Sequence, residues 1–283
     1  MQNIILSADN TADLNGELID LLNVSLHPYT VIIDNKAYRD NIDIKPSDIF
    51  KIYEDKGILP KTAAINLAQY VEYFKELKEN GREIIHINLA SSLTSAYNNC
   101  QIAAGDFPGV YALDSQNLST GSGLLVLKAR HLIDKGLSAK EVVEELENHR
   151  EKIHMSFLLD TLEFLQAGGR CSKLTSLGAN LLKIKPVINV DNQSGTMSVG
   201  SKYKGSLEKS IKRYICDKLT SIDNINEDHI FLVHSGLKEE YLDLARKEIL
   251  KHIKFKEIYI STASCTISSH CGPNTIGIAF ETK

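Results

Sequence analysis

The chain has 283 residues, of which 43% are hydrophobic and 24% charged, and its formal net charge is −4. The length indicates about two domains, and the composition is that of an ordinary globular protein. A nucleic-acid-binding protein carries a basic surface, and a membrane span needs about 18 consecutive apolar residues, so the sequence argues against both classes.

Strands and helices alternate through the first half of the chain. Strands are predicted at residues 3–7, 83–89 and 110–113, and amphipathic helices at 66–80, 95–104, 122–135 and 139–150. This alternation predicts an α/β fold in three layers, with a parallel sheet covered by helices on both faces. We place the first domain at residues 1–150.

The second half mixes the same elements less regularly. Strands are predicted at residues 153–159, 186–190, 196–199, 230–234, 257–261 and 276–280, and helices at 207–219 and 239–251. The turn residues between Asp191 and Gly195 predict a hairpin, and therefore a mixed sheet rather than a purely parallel one. We place this second α/β domain at residues 151–283.

The five cysteines have no regular spacing, and no two of them form a Cys-x-x-Cys pair. They do not predict a disulfide framework or a metal site, so we expect reduced thiols, a cytoplasmic location, no metal and no cofactor. Residues 1–6 enter an apolar strand without a preceding basic region, so no signal peptide is expected.

Three polar loops follow predicted strands of the first half, at residues 9–14, 90–97 and 114–123. Each is explained by the preference of Ser, Thr and Asp for helix N-caps. Together they place hydroxyl and backbone N–H groups along the edge of the sheet where ligands of α/β proteins bind, and this suits a carboxylate or a phosphate. None of them matches a nucleotide-binding loop.

Near the C-terminus, His270 lies between hydroxyl residues (Thr266, Ser268 and Ser269) and a Gly-Pro turn. One interpretation is a histidine that caps a turn beside a strand end. The other is a functional histidine, whose ring nitrogens donate or accept hydrogen bonds near neutral pH.

The loops and the tail together resemble the DegV family, the fatty-acid-binding proteins of bacterial fatty acid kinase. The matching blocks keep the family's order, at residues 9–14, 60–62, 91–97, 114–123, 162–172 with 182–186, and 270–274. The most specific block is Leu-Glu-Phe-Leu-Gln-Ala-Gly-Gly-Arg-Cys-Ser at 162–172. The chain departs from the family's motifs at four places: Ala63–Ala64, Ser95–Ala96, Asn274 and Lys204, where the family usually has Arg.

The resemblance implies that this chain buries a long-chain fatty acid in the first domain and holds its carboxylate near the domain junction. It assigns the carboxylate-binding site to Thr62, Thr94 and His270, with Ser91 and Ser95 adjacent. A separate ATP-dependent kinase would convert the carboxylate into an acyl phosphate for phospholipid synthesis, so this chain would be a carrier without catalytic residues.

Two further basic residues belong to this expectation. Arg170 would support the site, or it would form only a structural ion pair or loop brace. Lys204 would contribute to the site or to contact with the partner.

Two hypotheses from other classes compete with the carrier. A hydrolase would use Ser91 or Cys271 as nucleophile and His270 as base, oriented by Asp9 or Asp114. Against it, the sequence has no Gly-x-Ser-x-Gly nucleophile motif. A regulator that binds a sugar or a phosphate is the other alternative.

Overall fold

The computed structural model describes residues 4–78, 81–170 and 184–283. Its strands are β1 (Ile4–Asp9), β2 (Val24–His27), β3 (Thr30–Ile33), β4 (Lys36–Arg39), β5 (Lys61–Ala63), β6 (Glu83–Asn88), β7 (Val110–Asp114), β8 (Ile153–Leu158), β9 (Ile184–Val190), β10 (Met197–Lys204), β11 (His229–Ser235), β12 (Glu257–Thr262) and β13 (Thr275–Glu281). Its helices are α1 (Gly16–Leu22), α2 (Pro46–Lys56), α3 (Leu67–Leu77), α4 (Ala96–Gly105), α5 (Ser119–Asp134), α6 (Ala139–His149), α7 (Glu163–Gly168), α8 (Leu207–Thr220), α9 (Glu239–His252) and α10 (Cys265–Cys271). No helix in these ranges is long and apolar enough to span a bilayer.

The four-stranded sheet of the N-terminal half has the order β2-β1-β6-β7, and all its neighbouring strands are parallel. Its central strands β1 and β6 are almost continuously buried, as expected for a parallel sheet that is covered on both faces. Helices α1, α4, α5 and α6 contact its strands. The predicted α/β arrangement of a parallel sheet flanked by helices is confirmed.

A second, three-stranded antiparallel sheet of order β4-β3-β5 was not predicted from the sequence. Its strands have only three or four residues, too few for an alternating pattern to be recognised. Helix α2 follows it, with Pro46 in the first turn, where a missing N–H costs nothing. Its strand β5 carries Thr62, one of the residues expected at the carboxylate-binding site.

The six-stranded sheet of the C-terminal half has the order β10-β9-β8-β13-β11-β12. Strands β11 and β12 are parallel, whereas the other neighbours are antiparallel. The predicted mixed sheet is therefore confirmed, and so is the hairpin between β9 and β10. Its turn is closed by a hydrogen bond of 2.9 Å from the Asp191 N–H to the Thr196 carbonyl oxygen.

Helix α5 lies between the two larger sheets, since it contacts β1 and β6 on one side and β8, β11 and β13 on the other. Leu124 and Leu125 of this helix belong to one core cluster with Leu6 of the first sheet and Phe157 and Val233 of the second. Helices α8 and α9 cover the opposite face of the second sheet with a separate cluster. The division into two domains at residue 150 stays a prediction, because one continuous core joins the halves.

The region around His270 differs from the expected turn, because residues 265–271 form helix α10. Ser264 caps the helix by accepting a hydrogen bond from the Ile267 N–H at 3.4 Å. The turn follows only after the helix, where Asn274 has a left-handed backbone with φ of +58°. Asn adopts this conformation more readily than most other non-glycine residues, so Asn274 is compatible with the turn.

Candidate functional site

A cavity lies between the two halves of the chain and is lined by residues of both. Leu118 and Ser119 place it at the N-terminal end of α5, and Leu89 places it beyond the end of β6. The cavity therefore lies at the carboxyl edge of the parallel sheet, where ligands of α/β folds bind.

The wall of the cavity is mostly apolar and comes from both halves. Its apolar side chains include Leu93, Leu118, Met155, Phe157, Met197 and Val233. Because alternate residues of a strand share one face, Met155 and Phe157 of β8 both point towards the N-terminal half. Both halves of the chain therefore contribute to the cavity wall.

The polar end of the cavity is formed by two residues that lie 208 positions apart in sequence. Thr62 Oγ1 and His270 Nε2 form a hydrogen bond of 2.9 Å, and both residues line the cavity. Nδ1 of the same ring is buried and has no hydrogen-bond partner among residues 4–78, 81–170 and 184–283. The structure thus brings together two of the residues that the family resemblance assigned to the head group.

His270 is uncharged at neutral pH. Burial lowers the pKa of its ring to about 4, and the positive charge of Arg170 lowers it further. Below neutrality the unfolded ring would take up a proton near its ordinary pKa of about 6.5, whereas the folded ring resists protonation until the pH is much lower. A neutral imidazole donates a hydrogen bond from only one of its two ring nitrogens. The hydrogen bond between Nε2 and Thr62 therefore determines which groups of the pair can donate to a ligand.

Gly168, the last residue of α7, sets the position of the His270 ring. A Cβ atom at residue 168 would lie 2.1 Å from Nδ1 of His270, which is far inside contact distance. The Gly168 carbonyl oxygen accepts a hydrogen bond of 2.7 Å from Nη1 of Arg170. Arg170 therefore contacts the end of α7 and also lines the cavity, so either of its two expected roles stays a prediction.

Two buried carboxylates of the N-terminal half hold the first turn of α10. Asp40 accepts hydrogen bonds from the Cys265 N–H at 2.7 Å and the Thr266 N–H at 2.8 Å. Asp13 accepts one from the Ser264 N–H at 2.8 Å and one from the Ser119 hydroxyl at 2.5 Å. Negative charge is favourable at a helix N-terminus. Burial nevertheless raises the pKa of Asp13 to about 7.

The remaining sequence-predicted residues lie in different places. Thr94 lines the cavity, and its hydroxyl accepts the Ala96 N–H at 3.2 Å. Ser91 and Ser95 are exposed and do not belong to the cavity wall, and Lys204 is exposed at the end of β10. Part of the most specific family block, residues 171–172 and 182–183, lies outside the described residues.

A separate row of hydrogen bonds crosses the N-terminal half and was not foreseen from the sequence. Ser7 Oγ lies 2.8 Å from Nδ1 of His86, whose Nε2 lies 3.1 Å from Oδ1 of Asp9. Asp9 also accepts a hydrogen bond of 3.3 Å from the hydroxyl of Tyr29, which lines the cavity. Ser7, Asp9 and His86 are at most 1% exposed, so this row connects the core to the cavity without opening to solvent.

The contacts needed for the hydrolase hypothesis are not formed in the described part of the chain. Ser91 is exposed, and its backbone N–H donates to Asp114 at 3.1 Å. Cys271 is buried, which raises the pKa of its thiol to about 12, whereas a nucleophilic cysteine needs a lowered pKa. The described residues also include no group of three or more His, Cys, Asp or Glu side chains that could hold a metal ion.

Comparison with known proteins finds relatives over the full length of the chain. A family model described as "Uncharacterised protein, DegV family" matches residues 3–283. A DegV domain-containing protein of Caldanaerobacter subterraneus subsp. tengcongensis is 30% identical over 287 residues, which cover 100% of both chains.

Two solved structures show the same fold. One concerns fatty acid binding of a DegV family protein from Thermus thermophilus; it is 28% identical, has a TM-score of 0.89 and covers 100% of both chains. The other is DegV, a fatty acid binding protein from Bacillus subtilis, at 24% identity, a TM-score of 0.84 and 100% of both chains. The fold, the order of the sequence blocks and the family match agree, and the chain belongs to the DegV family.

Proposed function

We propose that this chain binds a long-chain fatty acid in the cavity between its halves and presents the carboxylate to a separate ATP-dependent kinase, which forms the acyl phosphate. The observation that carries the proposal is a largely apolar cavity with the neutral Thr62–His270 pair at its polar end. The fatty acid binding of the similar DegV family protein from Thermus thermophilus supports this proposal. The chain would act as a cytoplasmic carrier and not as a catalyst.

The cavity suits the acyl chain energetically. Transferring one CH₂ group from water to an apolar site contributes ~0.8 kcal/mol, so about fifteen such groups contribute roughly 12 kcal/mol before the cost of association is subtracted. Met155, Phe157 and Val233 supply the apolar surface for this transfer. No comparable gain is available to a sugar or a free phosphate, which would lose hydration against the same wall.

The polar end suits the carboxylate, which needs hydrogen-bond donors in a site shielded from water. Thr62 and Thr94 each offer a hydroxyl, His270 offers a ring nitrogen, and Arg170 offers a positive charge. In this proposal Ser91 and Ser95 lie at the rim of the head-group site. Lys204 is kept as a residue of the surface that meets the partner, on the second of two domains divided at residue 150.

Phosphoryl transfer depends mainly on positioning and on stabilising charge. The carrier must therefore hold the carboxylate oxygen in a fixed direction, and the Thr62–His270 hydrogen bond does this through a buried and uncharged pair. We infer that the kinase supplies ATP and the catalytic groups, while the carrier supplies orientation.

Mass spectrometry of the organic extract from purified protein tests the binding step. The expected result is long-chain fatty acid at about one molecule per chain, whereas an extract without it, together with no uptake of added palmitate or oleate, would contradict the proposal. The presenting step is tested with ATP and a cognate kinase. His270→Ala should reduce acyl phosphate formation more than it reduces fatty acid binding. If His270→Ala reduced acyl phosphate formation and fatty acid binding equally, the chain would still be a fatty acid carrier. His270 would then have no separate role in presenting the carboxylate to the kinase.

A further inference from the structure

The cavity wall contains a hydroxyl group that nothing else in the described part of the chain satisfies. Thr266, on α10, is 3% exposed and lines the cavity, and its Oγ1 has no hydrogen-bond partner within the described residues. Leaving a buried hydroxyl unpaired is energetically costly, and buried polar groups in native proteins are therefore nearly always paired. An unpaired hydroxyl that lines a ligand cavity points to a polar atom of the ligand.

The other aliphatic hydroxyls of the C-terminal half that line the cavity are already paired. Ser235 donates to the hydroxyl of Ser268 at 2.9 Å, and Thr275 donates to the Cys271 carbonyl oxygen at 2.9 Å. These contacts belong to the packing of the protein itself. Thr266 differs from both, because its hydroxyl has no partner in the described residues, although its backbone N–H donates to Asp40.

The position of Thr266 relative to the head-group site defines where the polar atom of the ligand would be. Thr266 and His270 are four residues apart on α10, so they share one face of the helix and lie about one turn, or roughly 5.4 Å, apart along its axis. An acyl chain that leaves the Thr62–His270 pair in the direction of Thr266 brings its first few carbons past the Thr266 hydroxyl. An unsubstituted chain presents only CH₂ groups there.

We propose that the site is adapted to acyl chains that carry a hydroxyl group close to the carboxylate, and that Thr266 Oγ1 forms a hydrogen bond with this substituent. A threonine hydroxyl both donates and accepts, so it matches a ligand hydroxyl in either direction. The inference rests on the proposed function, since it takes the carboxylate position from Thr62 and His270. It adds a specificity residue and a ligand class, the β-hydroxy fatty acids.

The test compares the dissociation constants of delipidated protein for palmitate, β-hydroxypalmitate and ω-hydroxypalmitate. The quantity to follow is the ratio of the β-hydroxypalmitate constant to the palmitate constant. Thr266→Val removes the hydroxyl at nearly constant volume and should raise this ratio about tenfold, which corresponds to the loss of one hydrogen bond. Thr266→Ser keeps the hydroxyl and should keep the wild-type ratio.

Two controls separate the possible outcomes. Thr62→Val removes a head-group donor, so it should weaken both ligands and leave the ratio unchanged. For ω-hydroxypalmitate, whose hydroxyl lies far from α10, the corresponding ratio should not respond to Thr266→Val. An unchanged β-hydroxypalmitate ratio in Thr266→Val overturns the inference while palmitate binding by the wild type still supports the carrier. Failure of the wild type to bind palmitate contradicts the proposed function itself.

Discussion

Two buried histidines of this protein have different surroundings. His86 is fully buried in the N-terminal half, and both its ring nitrogens have partners, Ser7 at 2.8 Å and Asp9 at 3.1 Å. His270 lines the cavity, and only Nε2 has a partner, Thr62 at 2.9 Å. Both ring nitrogens of His86 are therefore paired within the core, whereas Nδ1 of His270 has no hydrogen-bond partner in the described residues.

Because these two histidines differ only in their surroundings, residue type alone does not identify a binding site. Ser7, His86 and Asp9 form the sequence of contacts expected of a catalytic triad. They are nevertheless sealed, because the Ser7 hydroxyl also contacts the hydroxyl of Tyr73 at 2.7 Å and is inaccessible to a substrate. An unpaired polar atom beside a cavity is the better mark of a binding site.

The largest expected effect is the loss of stability on removal of the Asp9 carboxylate. Asp9→Ala leaves the Tyr70 hydroxyl, the Leu89 N–H and His86 Nε2 without their acceptor, so the free energy of unfolding should fall by about 3–5 kcal/mol. Urea denaturation measures this loss. The matched variant is His270→Ala, for which the loss of stability should be less than half as large. Similar losses in both variants would show that His270 is as structural as His86.

A second test concerns Asp13, which anchors α10 and has a pKa raised to about 7 by burial. The folded state holds a proton on Asp13 that the unfolded state has already released, so its contribution to stability is complete below pH ~4 and is lost as the pH rises towards 7. Asp13→Asn cannot ionise. The stability difference between wild type and Asp13→Asn should therefore shift in favour of the variant by about 2–3 kcal/mol between pH 5 and pH 8.

Denaturation at the two pH values measures this shift. The control is the Asp40→Asn variant, which removes the other carboxylate at the same end of the helix. Its stability relative to the wild type, measured at both pH values, reports the general effects of pH on α10. A difference between wild type and Asp13→Asn that does not change with pH would show that Asp13 is ionised throughout this range in the folded protein.

Removal of single hydroxyls sharpens the description of the head-group site. Thr62→Val and Thr94→Val should each weaken fatty acid binding by about 1–3 kcal/mol, because the carboxylate loses a donor in a dry site. Thr94→Val also removes the acceptor of the Ala96 N–H at the start of α4, so it should lower stability as well. Titration with palmitate and thermal unfolding measure the two effects. Wild-type affinity in both variants would place the head group elsewhere.

The smallest expected effect comes from Gly168→Ala. The added Cβ would displace the His270 ring, and such overpacking costs about 1–3 kcal/mol, from which the better helix propensity of Ala subtracts about 0.5–1 kcal/mol. In a His270→Ala background this cost should vanish. Gly105→Ala is the matched control, because Gly105 also ends a helix and has open space at its Cβ position. A cost that persists without the ring would contradict the proposed contact.

The regular elements of the fold could be predicted from the sequence because their apolar residues recur with the periods of helices and strands. The β9–β10 hairpin followed from its turn residues, Asp191 to Gly195. Helix α10 could not be predicted, since Cys-Thr-Ile-Ser-Ser-His-Cys contains no strong helix former. It exists because Asp13 and Asp40, more than 220 residues away, accept its first N–H groups.

The candidate site was predicted only in part. The assignment of Thr62 and His270 to one carboxylate site came from the resemblance to the DegV family, whereas their mutual hydrogen bond was not predicted. Tyr29, Gly168 and the unpaired hydroxyl of Thr266 became visible only in three dimensions, since exposure and hydrogen-bond partners are not written in the local sequence.

Helix α10 also limits how this protein can change. Its sequence belongs to the C-terminal half, but its anchors, Asp13 and Asp40, and the partner of its histidine, Thr62, all belong to the N-terminal half. Loss of either carboxylate would leave N–H groups at the start of α10 without their acceptor, although the sequence of the helix is unchanged. A substitution at Asp13, Asp40 or Thr62 therefore also acts on the C-terminal half of the chain.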